Sequence, residues 1–177
     1  MRTNRTTRAA VLSIALVLAP GVGAAQSADE EPAAVSHWTS SPTALQSLGV
    51  SGGPQGFFDW GYRTTMELTG TVDADDSRAS GDLTMVIVMD FADNGMFRGE
   101  GRSWLVNDDG TFEGTVNVIH YADGSEFRMV LAEGKDGYEG LSFAMTEFLD
   151  PTGEGQEQGL IWEGEIPPVP DASALPE

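Results

Sequence analysis

From residue 63 onward the chain alternates between apolar and polar positions. In 63–72, Met66, Leu68 and Val72 share one parity while Thr65, Glu67, Thr69 and Thr71 share the other, the two-residue period of a strand with one apolar and one wet face. Residues 83–91 place Leu83, Met85, Ile87, Met89 and Phe91 on one face and add Val86 and Val88 to the other, so this strand is covered on both sides for part of its length. Similar runs at 96–106, 112–121, 125–133, 138–148 and 159–166 bring the predicted strands to seven.

The junctions carry their own signal. Asn94-Gly95, Asp109-Gly110, Asp123-Gly124 and Asp136-Gly137 each separate two strand-like runs, where positive φ angles cost Asn, Asp and Gly least. A long antiparallel meander must close or hide its edges, and an all-antiparallel barrel needs an even number of strands. Residues 35–39 are the best source of an eighth. The predicted fold is therefore all-β, a small up-and-down antiparallel barrel of about eight strands, with a β-sandwich as the alternative. One short helix is expected, capped by Ser41, with Pro42 in its first turn and Gly49 at its end. The run Pro167-Pro168-Val169-Pro170 ends the ladder.

The N-terminus reads differently. Arg2, Arg5 and Arg8 precede an apolar run over 9–19 and the small residues Gly21, Gly23, Ala24 and Ala25, the three parts of a secretory signal peptide. The apolar run is about half the ~20 residues that a spanning helix needs. The predicted organisation is a leader over 1–25, an acidic tail over 26–35, one barrel domain over 36–168 and a short tail over 169–177. The expected location is outside the cytoplasmic membrane, periplasmic or extracellular, with no membrane anchor after cleavage. No Cys is present, so the core must hold the fold without disulfides.

Charge narrows the partners. The 177 residues carry 28 Asp and Glu against 9 Lys and Arg, a net charge of -19. Removing the leader's three arginines leaves six basic residues against those 28, about -22. Such a polyanion is a poor match for nucleic acid. Without Cys, and with only His37 and His120, thiolate catalysis and cysteine zinc sites are excluded. Asp73, Asp75, Asp76 and Asp82 do not fit a calcium loop, because Arg78 takes the glycine position and Thr84 the final glutamate position. They read as a solvated turn, and neither a metal nor a cofactor is expected.

Three segments carry a resemblance: 76–81 (Asp-Ser-Arg-Ala-Ser-Gly), 104–115 (Trp-Leu-Val-Asn-Asp-Asp-Gly-Thr-Phe-Glu-Gly-Thr) and 137–141 (Gly-Tyr-Glu-Gly-Leu). Together they resemble a family of secreted bacterial β-barrel proteins of unassigned activity. The glycines at 134, 137 and 140 are more remotely similar to those of the allene oxide cyclase and dirigent-like barrels, although Asp136 stands where those barrels tend to have Gly. The resemblance implies the barrel and transfers no catalytic residue.

Candidate site residues follow from what is unusual. The run 96–106 places Phe97, Gly99, Gly101, Ser103 and Leu105 on one face, and Met96, Arg98, Glu100, Arg102 and Trp104 on the other. Either Arg98 and Arg102 pack on Trp104 on an exposed face, or Arg102 and Trp104 sit at a pocket mouth and bind an anionic or aromatic ligand. His120 shares its parity with Val116 and Val118 and so points into the barrel near one end. Tyr121, Tyr138 and Glu139 complete the candidate ligand-binding set, and Trp162 is a further candidate for an aromatic lining. No nucleophile elbow, phosphate loop or dinucleotide fingerprint is present.

The expected function is non-catalytic binding of a small molecule or a surface partner. The alternatives are a cyclase- or isomerase-type enzyme using a lumen acid–base residue, and a purely structural or protein-interaction module, with the aromatics at 57–60 as its contact.

Overall fold

The structure, a computed structural model, describes residues 34–58 and 61–167. Within them nine strands form one antiparallel sheet: β1 (Val35–Ser40), β2 (Gln46–Phe58), β3 (Gly61–Val72), β4 (Gly81–Ala92), β5 (Phe97–Val106), β6 (Gly110–His120), β7 (Glu126–Asp136), β8 (Leu141–Leu149) and β9 (Gly155–Glu163). From β2 to β9 each strand pairs with its successor, and β1 adds to the outer edge of β9. This is the up-and-down arrangement that the alternation and the Gly-containing turns predict. Gly95 and Gly124 take φ of 86° and 92°, and Asp136 takes 56°. At the remaining junction, the second along the chain, Gly110 serves packing instead, since a Cβ there would lie 2.9 Å from the Tyr138 ring.

The sheet curls without closing its ladder, and β1 meets the loop after β3 at one corner. Ser40 of β1 bridges Ala74, just past the end of β3. Asp75 N donates to Thr39 O at 3.0 Å alongside it. The loop acids finish this seam: Asp75 accepts from Thr39 N and Oγ1 at 2.8 and 3.0 Å, and Asp76 accepts from Ser36 Oγ at 2.9 Å. The aspartates that read as a solvated turn are thus partly clasps on the first strand. β1 supplies the strand expected at 35–39.

One expectation fails. The segment from Ser41 to Gly49 is not a helix; residues 41–45 are irregular, and β2 begins at Gln46. A helix of two turns is marginal by itself, whereas the edge of β3 offers a row of unpaired backbone groups that β2 satisfies. The strands also begin and end a few residues from the predicted bounds, most visibly at β9, which starts at Gly155.

One face of the sheet forms the core. Leu83, Met85, Ile87 and Met89 of β4 are buried, as are Leu105 of β5, Phe112, Val116 and Val118 of β6, and Val130 and Ala132 of β7. The glycines of β5 lie on this inner face: a Cβ on Gly99 would come within 2.6 Å of Ile87. Large β4 side chains fill the volume that Gly99 leaves. Further along the lumen Trp38, Phe143, Phe112 and Tyr138 stack in series, with ring centroids 5.4, 4.9 and 4.7 Å apart. The space bounded by Val72, Leu83, Ser103, Phe112, Phe143 and Met145 has no room for a water molecule. The body of the barrel is packed.

Candidate functional site

Polar chemistry inside the barrel starts at the end opposite the seam loop and winds across β7, β8 and β9 to Ser40, beside the seam. Strand register brings Tyr62, Phe91, Phe97, His120 and Glu126 into one row across β3 to β7. The rings follow one another: Tyr62 stacks on Phe91 at 4.9 Å, Phe91 tilts against Phe97 at 5.1 Å, and Phe97 lies parallel to His120 at 4.5 Å. This is an aromatic rim with π faces in contact.

The next row inward is charged. Its register partners are the buried Thr64, then Met89, Gly99, Val118, Arg128, Glu147, Glu157 and Ser40. Because inward positions recur every second residue, Glu126 and Arg128 present side chains to the rim and to this layer in turn. Arg128 donates Nε to Glu126 Oε1 and Nη1 to Glu147 Oε2, each at 2.5 Å. Glu126 Oε2 lies 3.3 Å from His120 Nδ1. Glu157, opposite Glu147 in register, accepts from Ser40 Oγ at 2.8 Å and from Thr43 N at 3.3 Å. Exposure falls steadily along the series, from 27% for the His120 side chain to 15% for Glu126, 10% for Arg128 and 0% for Glu147.

Glu147 is the most perturbed member. Burial raises its pKa to about 7, the charge of Arg128 opposes that rise, the neighbouring Glu157 and Glu126 add to it, and the backbone N–H of Thr43 lowers it slightly. Its Oε1 is buried and has no hydrogen-bond partner among the described residues. A carboxyl in this state exchanges a proton near neutral pH and has one oxygen free to accept or donate.

The other sequence-derived candidates lie elsewhere. Arg98 and Arg102 are on the outer face of β5, with side chains 73% and 56% exposed. Arg102 pairs with Glu113 and sits 5.9 Å over the Trp104 ring, and Arg98 approaches Asp90, which Arg63 already holds. The pocket mouth placed at Arg102 and Trp104 is therefore not there; the exposed-face alternative describes the geometry, since the bulk of β4 turns the glycine face of β5 inward.

Tyr121 is exposed, and Glu139 lies exposed in the β7–β8 turn. Tyr138 is buried at the opposite end, where its hydroxyl donates to Asn107 Oδ1 at 2.9 Å. Trp162 is part-buried on β9, and its Nε1 donates to Glu165 O at 3.4 Å. His37 is exposed on β1. The aromatics proposed at 57–60 lie where side chains or whole residues fall outside the described set. Of the candidate set, only His120 joins the rim.

Glu126, Arg128, Glu147 and Glu157 were missed as a group. A signal existed: Glu147 shares its parity with Phe143 and Met145, and Arg128 with Val130 and Ala132, so each is a charge on an apolar face. Among the described residues, no three His, Asp or Glu side chains converge as a metal site. Neither protein-family models nor curated proteins give a match to this chain.

Proposed function

We propose that this is an exported, non-catalytic binding protein whose small-molecule site is the aromatic rim and the carboxylate layer beneath it. One observation carries the reading: a fully buried carboxyl with an unbonded oxygen is linked through Arg128 and Glu126 to His120, the last ring of a stacked row at one end of an otherwise packed sheet. Binding sites combine apolar walls with a few convergent polar groups, and this end has both. Export rests on the leader-like pattern at 1–25.

A thermal-shift screen of the full chain against small aromatic and charged compounds tests it, because a ligand specific for the folded state raises Tm. The expected result is a stabilising compound whose effect is lost in Phe97→Ala or His120→Ala. Stabilising compounds indifferent to both changes would overturn the site, and the absence of any would favour a structural role.

A second reading, an acid–base enzyme, is favoured by the raised pKa of Glu147 alone. Glu139, Tyr121 and Arg102 lie on the exterior and do not contribute to it. A ligand consumed by the native chain and bound unchanged by Glu147→Gln would establish it.

A further inference from the structure

We infer that the mouth selects a ligand carrying a positive charge beside a flat apolar group, with an aromatic amine as the simplest chemical class. This rests on reading the mouth as a ligand site, and it specifies what that site takes.

The reason is a charge imbalance with fixed geometry. Three carboxylates, Glu126, Glu147 and Glu157, share one guanidinium, and Arg128 already donates to two of them. Glu157 receives only neutral donors, Ser40 Oγ and Thr43 N. The remaining inward positions of this layer on β4, β5 and β6 are Met89, Gly99 and Val118, none of them charged. Arg63 and Arg98 pair with Asp90 on the outward-facing parity of β3, β4 and β5. His120, at the rim, faces Glu126.

A buried carboxylate without a counter-charge is costly, so the cluster accommodates one more positive charge, supplied by a proton or by a ligand. The free oxygen of Glu147 is the unfilled end of that balance. Entry is from the rim, where Glu126 is the first acid that an ammonium meets, outside Arg128. The rings of Tyr62, Phe91 and Phe97, stacked face to face along the rim, give the flat apolar part of the ligand a wall of ring edges beside that acid. An anion of the same shape meets an excess of carboxylates and an arginine already engaged twice.

A cationic ligand and the proton then compete for one deficit. Binding the amine releases a proton, so affinity rises with pH. The charged and titratable groups around Glu147 of β8 are Glu126 and Arg128 from β7 and Glu157 from β9, with His120 of β6 beyond Glu126.

Three probes with one ring and different charges test the inference on the full chain: 2-phenylethylamine, 2-phenylethanol and 3-phenylpropionate. Backbone amide shifts of Phe97, His120 and Glu126 are followed by NMR titration at pH 6 and pH 8. The amine is expected to bind about tenfold more tightly than the alcohol, with the acid weakest. Its affinity should be greater at pH 8. Glu147→Gln should remove most of the amine's advantage, and Glu126→Gln, at a partly exposed position, provides the same readout should the buried change prevent folding.

Equal or tighter binding of the alcohol or the acid at these amides would overturn the charge preference while leaving the mouth as a site. Failure of all three probes to perturb the rim would overturn the mouth reading, and the charge preference with it.

Discussion

The two ends of this barrel both use carboxylates, and they use them in opposite ways. At the seam, Asp75 and Asp76 face an abundance of donors. Hydrogen bonds from Thr39 hold Asp75 below the usual carboxylate range, and Arg78, aided by Ser36, holds Asp76 down at about 2. At the mouth, Glu126, Glu147 and Glu157 compete for one arginine, and burial drives Glu147 up to about 7. The residue chemistry is nearly the same; what differs is the ratio of donors to acids and access to water. One end is a fastening and the other is a standing demand for positive charge.

Removing the arginine breaks this contrast most directly. Arg128→Met should cost about 3–5 kcal/mol at pH 8, because buried carboxylates lose their only guanidinium. Urea unfolding measures it, and a loss below about 1 kcal/mol would mean that water already solvates the cluster.

A second test uses pH. Glu147 binds its proton more tightly folded than unfolded, so its contribution is complete below its ordinary 4.5 and is lost as pH rises through about 7. That is about 3 kcal/mol at most between pH 4.5 and pH 8. The native chain should lose stability over this range relative to Glu147→Gln; parallel urea midpoints for the two would reject the raised pKa.

The smallest effect is at the seam. Asp76 has the opposite sign: its contribution is present above 3.8 and disappears as pH falls through about 2. After solvent screening, Asp76→Ala should cost about 1 kcal/mol at pH 7. The difference from the native chain should shrink toward pH 2, and the β1 amides should exchange hydrogen faster at neutral pH. Unchanged β1 exchange would show that the backbone bridge alone holds the seam.

Much of the fold was legible because alternation and turn chemistry act within one strand at a time. Leu83, Met85, Ile87 and Met89 lie buried on one face as their pattern requires. The Asn-Gly and Asp-Gly junctions fall at turns or strand ends, and a strand appears at 35–40 as expected, although β2 makes the count nine and the even number that a closed ladder needs is not met. β2 was misread because Ser41, Pro42 and Gly49 have sound local helix signals that the edge of β3 overrides.

The site was less legible for a related reason. Arg98, Arg102 and Trp104 stand out in one dimension, yet their outward orientation follows from Met85, Ile87 and Met89 filling the space over the β5 glycines. The mouth cluster draws on β6, β7, β8, β9 and β1, and its members meet only through register. Parity marked each acid as inward-facing, but it did not reveal that Glu147 would find Arg128 on one side and Glu157 on the other.

The seam also sets an order in time. Ser40 reaches Glu157 across 117 positions of chain, so the strand made first is completed only by the strand made last. Until β9 exists, β1 has no ladder partner. A chain built this way stays open through synthesis and locks in a late step.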